Sequence, residues 1–213
     1  GWGTLRGIQA TMEEITGSIS LRGKVVAIQG LGFVGSLLAE LLFWEGADLV
    51  VTDICPEKIK HICKRFDATA VAPEFIYDVP CDIFSPCALG AILNSRTIPR
   101  LKCKGIAGSS NNQLEKESDG ELLVQRKILY APDIIINPGG LINVQMEIGP
   151  HGYKPTLARD SINKIYDRTK TLFKYAKEKG VDPGKAAVML ADEKLELEFS
   201  KDSGGVNIAK IIS

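Results

Sequence analysis

The spacing of apolar residues changes from segment to segment along the chain, and those changes set the elements to expect. Leu5, Ile8, Met12 and Ile15 recur at intervals of three and four, which predicts a first helix ending at Gly17. Within Lys24 to Gln29 the unbroken run Val25-Val26-Ala27-Ile28 predicts a strand buried on both faces. Helical spacing returns at Val34, Leu37, Leu38, Leu41 and Leu42, and a second strand ends at Asp53. Ile59, Ile62, Cys63 and Phe66 predict another helix, while short apolar runs at 69–71, 81–84, 105–107, 128–130 and 134–136 predict further strands. Beyond Pro155 the pattern is helical throughout. Ala158, Ile162, Ile165, Tyr166, Leu172 and Phe173 form one stripe of a helix from about Thr156 to Gly180, and a second helix follows Asp182-Pro183-Gly184. That helix fades after Leu197 to Phe199 into a polar, glycine-containing tail.

Strands alternating with helices predict an α/β fold, a Rossmann-like doubly wound parallel sheet with flanking N- and C-terminal helices. The expected division is a lead-in helix over 1–20, the sheet domain over 21–155, and C-terminal helices and tail over 156–213. In such a sheet ligands lie outside the carboxyl ends of the strands, so the loops after those ends are the places to search.

The first of these loops is Gly30-Leu31-Gly32-Phe33-Val34-Gly35, between the first strand and a helix. A bare G-x-G-x-x-G turn is weak evidence, because an ordinary strand-turn-helix can carry one; here a strand precedes it, a helix follows it and an acid lies at the right offset. Gly30 permits the tight turn, Gly32 removes a side chain that would collide with a pyrophosphate, and Gly35 lets the helix pack closely on the strand. The unpaired N–H groups and positive dipole end of the helix attract phosphate. Asp53, about 20 residues on, would accept hydrogen bonds from ribose hydroxyls and repel a 2′-phosphate, favouring NAD as cofactor. Lys58 and Lys60 lie near enough to leave NADP as the lesser alternative. The candidate cofactor contacts here are Gly30, Leu31, Gly32, Phe33, Val34, Gly35 and Ser36, with Asp53 and its neighbour Ile54.

Composition narrows the class of partner. The 213 residues suffice for one α/β domain, and 45% hydrophobic residues can fill a sizeable core. With 26 basic and 26 acidic residues there is no electrostatic footprint for nucleic acid or an anionic membrane, and small molecules or protein surfaces are the expected partners. No apolar run approaches the roughly 20 residues of a transmembrane helix, and no signal-peptide pattern opens the chain. The cysteines Cys55, Cys63, Cys81, Cys87 and Cys103 are odd in number and form no C-x-x-C pair, which predicts reduced thiols and a cytoplasmic protein rather than a metal site or disulfide set. Cys81 and Cys103, at expected strand starts, read as small buried hydrophobes. His61 and His151 read as surface or hydrogen-bonded histidines, and no metal is expected.

Three further loops carry more specific patterns: Cys81-Asp82-Ile83-Phe84-Ser85-Pro86-Cys87-Ala88-Leu89-Gly90, Ala107-Gly108-Ser109-Ser110-Asn111-Asn112-Gln113-Leu114, and Ile136-Asn137-Pro138-Gly139-Gly140-Leu141-Ile142-Asn143-Val144. With these motifs, and from Gly1 to about Leu197, the chain closely resembles the cofactor-binding half of the glutamate/leucine/phenylalanine/valine dehydrogenase family, above all its leucine dehydrogenase branch. The resemblance implies that Cys87, Ala88 and Ala107 line the cofactor groove. It implies that Asn112 and Asn111 lie by the nicotinamide ribose and the substrate α-carbon, and that Asn137 bonds the nicotinamide side with Gly139-Gly140 allowing close approach. Taken alone, paired asparagines are ordinary turn formers. Leu141 and Val144 are the implied lining of the substrate side-chain pocket, where Leu141 stands in place of an expected valine; one methylene is worth on the order of 1 kcal/mol, too little to name a substrate.

In the family, an L-amino acid is oxidatively deaminated to a 2-keto acid and ammonia, by proton-transfer lysine and aspartate residues that belong to a preceding domain. That N-terminal catalytic domain is absent from this chain, since Gly23-Lys24 leads into a strand and matches the family's glycine-lysine pair only by accident. The implied function is the NAD-binding domain of a dehydrogenase for a branched-chain or other apolar L-amino acid, inactive alone, whose partners are the amino acid or keto acid, the missing domain, and further copies in a homo-oligomer. A non-catalytic NAD-binding sensor or pseudoenzyme is the alternative. The first helix and the 156–180 helix would lie at the domain junction, so part of their apolar faces is expected to be exposed and to drive self-association.

Overall fold

The computed structural model describes residues 1–137 and 154–201, with side chains as far as Glu193. Helix α1 (Trp2–Thr16) leads into β1 (Val25–Gln29), α2 (Phe33–Trp44), β2 (Asp48–Thr52), α3 (Pro56–Phe66) and β3 (Thr69–Ala70). Next come β4 (Ile83–Pro86), β5 (Gly105–Ala107), α4 (Asp119–Gln125), β6 (Leu129–Ala131) and the single helical turn α5 (Asp133–Ile136); 3₁₀ turns at Pro73–Asp78 and Ile98–Arg100 flank β4. Two long helices, α6 (Pro155–Lys179) and α7 (Pro183–Lys201), come last among the described residues.

The strands form one parallel sheet in the order β3-β2-β1-β4-β5-β6. Its pleat sends alternate residues to two cores. Val26, Ile28, Ile83, Ala107 and Ala131 face the layer that holds Leu5, Ile8 and Met12 of α1 with Leu38 and Leu42 of α2. Ala27, Phe84, Ile106 and Tyr130 face Ile76, Leu93, Ile98 and Leu123 on the other side. Covering on both faces is why the strands read as continuous apolar runs.

At the amino end of the sheet Asp82 ties three strands together. Its Oδ2 accepts the Val25 N–H at 3.0 Å and its Oδ1 the Lys104 ammonium at 2.7 Å, while its carbonyl accepts the N–H groups of Lys104 and Gly105. At the carboxyl end the chain leaves β3 and returns on the far side of β1 as β4, so the loops after β1 and β4 part at a topological switch point where a crevice opens.

One expectation is corrected and another is met in part. The run Ile134 to Ile136 is the helical turn α5 rather than a strand. The β6 ladder stops at Ala131 and Pro132 follows; the Asn137 N–H then bonds the Asp133 carbonyl at 2.7 Å, closing a turn. The apolar faces of α1 and α6 are covered over most of their length, while Trp2 and Leu157 at the starts of the two helices stay exposed, 39% and 49% accessible. Leu5, Ile8 and Met12 are at most 1% accessible, and Ile165, Leu172 and Phe173 are buried. Gly3 and Gly7 offer no side chain and so let α1 approach two neighbours: a Cβ at Gly3 would stand 2.8 Å from Ile165 Cδ1 of α6, and one at Gly7 2.7 Å from Ile136 Cδ1 of α5. Glu13 on α1 seals the seam by accepting the Tyr166 hydroxyl and pairing with Lys170 at 2.9 Å.

Cys81 and Cys103 match their expected character, half-buried and buried, with burial pushing each thiol up to about 12. His61 is exposed on α3. The candidates Leu141 and Val144, the Gly139-Gly140 pair and His151 lie outside the described residues.

Candidate cofactor site

The site begins where β1 turns into α2. Gly30 has φ +99°, a left-handed conformation that side chains resist, and its N–H bonds the Thr52 carbonyl at 2.8 Å. A Cβ on Gly30 would lie 2.7 Å from Ala88 Cβ, and one on Gly35 would lie 2.0 Å from the Gly30 carbonyl oxygen and 3.3 Å from Cys87 Cβ. Gly30 and Gly35 are therefore required by the protein's own packing, and they bring the loop after β4 against the turn. Gly32 differs from both: among the described residues, its own chain neighbours aside, no atom lies within 4 Å of the place its Cβ would take. The backbone at Gly32 caps α2, and α2 has neither a capping side chain nor an acidic residue in its first turn. The helix start is left open and electropositive.

Asp53, just past β2, reaches back to this turn. Its Oδ2 accepts the Leu31 N–H at 2.5 Å and its Oδ1 the Cys55 N–H at 2.9 Å. Ser36 Oγ bonds the Leu31 carbonyl at 3.0 Å. Phe33 and Ile54 stand at the rim, 90% and 94% accessible, and Val34 is half-buried. Leu31 and Ala107 turn their side chains into the core, so only their backbones are available to a ligand.

Beyond β4 the loops interlock. The Cys87 N–H bonds the Gln29 carbonyl at 2.8 Å, and the Ser109 and Ser110 N–H groups both reach the Pro86 carbonyl. Gly108 is forced by the same contact, since its Cβ would lie 2.2 Å from the Pro86 oxygen. The Ala91 N–H bonds the Asn112 carbonyl at 2.7 Å, and Asn112 itself sits at φ +50°. Asn111 Oδ1 accepts the Asn137 side-chain amide, joining the loop after β5 to the end of α5. One band of contacts therefore runs along the carboxyl edge of the sheet from Asp53 to Asn137, and it gathers every candidate from the three loops that falls in the described residues.

Two residues in this band had no sequence signal beyond a Pro-Asp step. Asp133 Oδ2 accepts the Asn112 N–H at 2.9 Å, and its Oδ1 faces the Tyr130 hydroxyl at 3.4 Å. Burial, then the nearby Asp133 carboxylate, pushes the Tyr130 hydroxyl well up, so it stays protonated and donates. A cavity of about 700 Å³ lies on the outer side of Asn112, lined by Tyr130, Asp133, Asp182 and Lys185 among others. None of the residues of the glycine turn lines it. Among the described residues no cluster of His, Cys, Asp and Glu could hold a metal ion, and no helix is long and apolar enough to cross a membrane.

A parallel sheet in this order, with a glycine turn and an uncapped helix start at its switch point, defines a dinucleotide-binding fold. The family profile for Glutamate/Leucine/Phenylalanine/Valine dehydrogenase matches residues 55–202. Leucine dehydrogenase of Thermoactinomyces intermedius is 47% identical over 92% of this chain and 53% of its own length. Phenylalanine dehydrogenase of Caldalkalibacillus thermarum is 39% identical over 92% of this chain and 54% of its length. The crystal structure of L-tryptophan dehydrogenase from Nostoc punctiforme superposes with a TM-score of 0.86 at 43% identity, covering 91% of this chain and 58% of that one. The chain belongs to the Glutamate/Leucine/Phenylalanine/Valine dehydrogenase family, within which it corresponds to the NAD(P)-binding domain. It spans about half the length of the curated relatives it matches.

Proposed function

We propose that this chain is the NAD-binding domain of a dehydrogenase that oxidatively deaminates a branched-chain or other apolar L-amino acid, as leucine dehydrogenase does, and that it is inactive without the family's N-terminal domain. The observation that carries the reading is the open space at Gly32, beside an α2 start with no side-chain cap. A glycine that no neighbour among the described residues requires is explained by a pyrophosphate that would take up that space.

When bound, the dinucleotide supplies the hydride acceptor. In this reading the residues of the chain bind and orient. The α2 N–H groups hold the pyrophosphate, Asp53 accepts the adenosine ribose hydroxyls, and Phe33 and Ile54 flank the adenine end. Cys87, Ala88 and the backbone of Ala107 line the middle of the groove, and Asn111, Asn112 and Asn137 face the nicotinamide and substrate end. Asp53 carries the preference for NAD, because its carboxylate would meet a 2′-phosphate with like charge. The preference for an apolar substrate draws on relatives that act on leucine, tryptophan and phenylalanine. Five free cysteines accord with a reducing, cytoplasmic setting.

Calorimetric titration with NAD and NADP tests the cofactor, and adding the family's N-terminal half followed by an assay of L-leucine, L-phenylalanine and L-tryptophan oxidation tests the reaction. Saturable NAD binding tighter than NADP is expected, with turnover only in the reconstituted protein. Failure to bind either dinucleotide in the reconstituted protein would overturn the reading.

A further inference from the structure

We infer that Asp133 is a positioning residue for the cofactor's nicotinamide end, acting through the backbone of Asn112; the inference rests on the dinucleotide reading above. Asn112 holds a left-handed conformation, φ +50°, which asparagine tolerates better than most side chains and which its backbone contacts here hold in place. Both of its backbone polar groups are engaged. The carbonyl takes the Ala91 N–H at 2.7 Å, and the N–H is given to Asp133 Oδ2 at 2.9 Å. No side chain that caps α5 competes for Asp133, which begins that helical turn after Pro132. Its other oxygen is held by the Tyr130 hydroxyl, which stands on β6 in the packed core. The chain of contacts therefore runs from a rigid strand through one carboxylate to the turn of the asparagine loop.

The geometry has a directional consequence. Asn111 adjoins that turn, and its side chain receives the amide of Asn137 at the far end of the same α5 turn. Asp133 thus fixes both sides of this contact, one through Asn112 and the other through the turn it opens. Its carboxylate touches neither the glycine turn nor Asp53, which are secured by Thr52 and Ser36 and by the backbone of Leu31 and Cys55. Loss of the carboxylate should loosen only the asparagine end of the groove.

Titrating the chain, and in parallel the protein reconstituted with the family's N-terminal half, with NAD and with ADP separates these ends. ADP carries the adenosine and pyrophosphate but no nicotinamide. Asp133→Ala is expected to weaken NAD about tenfold, the effect of one charge-assisted hydrogen bond, while ADP affinity stays within about twofold. Asp133→Asn keeps an acceptor for the Asn112 N–H and should recover NAD affinity to within about threefold, and Tyr130→Phe should fall between the two. Equal weakening of NAD and ADP in Asp133→Ala would mean a merely structural role and overturn the inference, as would no weakening of either. An unmutated protein that binds ADP and NAD equally tightly would also overturn it, since the asparagine loop would then contribute nothing. If the unmutated protein binds neither ligand, the dinucleotide reading itself fails, an outcome distinct from all of these.

Discussion

A Cβ on Gly35 would stand 2.0 Å from the carbonyl oxygen of Gly30, closer than any real contact of that kind. The neighbour is backbone at the tightest part of the turn, where movement would break the Gly30–Thr52 hydrogen bond beneath it. Gly35→Ala is therefore expected to destabilise the domain by about 3 kcal/mol, near the upper range for overpacking, and to lower its melting temperature by roughly 6–12 °C. Differential scanning calorimetry checks this; an unchanged transition would show that the turn can widen.

Gly32→Ala should behave in the opposite way. The added methyl meets no atom of the described residues beyond its chain neighbours, so thermal stability should stay within about 0.5 kcal/mol of the parent. If a pyrophosphate lies where proposed, the same methyl collides with it, and dinucleotide affinity should fall at least about tenfold. A variant that binds as well as its parent would remove the main support for the proposed function.

Asp53 combines a structural role with its proposed ligand role. Its carboxylate already holds the Leu31 and Cys55 N–H groups, so Asp53→Ala should loosen the glycine turn and weaken ADP as well as NAD, by roughly tenfold or more. Asp53→Asn keeps one acceptor oxygen while removing the charge. It should retain most of the thermal stability and narrow the difference between NAD and NADP, which parallel titrations with the two dinucleotides would measure.

Acid stability should depend on Asp82. Burial raises its carboxyl, but the hydrogen bonds from Lys104 and from the Val25 N–H outweigh burial and hold it below the ordinary aspartate value of 3.8. A group lowered in the folded state stabilises the protein fully above that ordinary value, and the contribution disappears as pH falls through the folded one. Asp82→Asn should therefore cost about 1.5 kcal/mol near neutral pH, the low end for a hydrogen bond to a charged group because Lys104 is exposed, and the difference from the parent should shrink below pH 3.8. Urea melts at several pH values check it; a difference that does not shrink in acid would assign the stabilisation to something other than this ionisation.

The sequence by itself determined most of the elements and their order. Local rules govern those features: the period of apolar residues, the stop at Gly17, the glycine turn between a strand and a helix, and the acid that follows at a fixed offset all act within a few residues of one another. The same rules could not decide Ile134 to Ile136, because a short apolar run fits a buried strand and a helical turn equally; the choice fell to Pro132 and to the end of the β6 ladder. Nor could they show that α1 is covered by α5 and α6, which depends on Gly7 and Gly3 meeting residues more than a hundred positions away. The glycine pattern already assigned Gly30, Gly32 and Gly35 separate roles, but only the tertiary structure supplied the atoms: Ala88 and the turn's own backbone crowd Gly30 and Gly35, while among the described residues nothing beyond its chain neighbours crowds Gly32. Tertiary structure alone joined Asp133 to Asn112 and Asp53 to Leu31, since a hydrogen bond between residues some 20 positions apart depends on how strands stack side by side and leaves no period in the sequence.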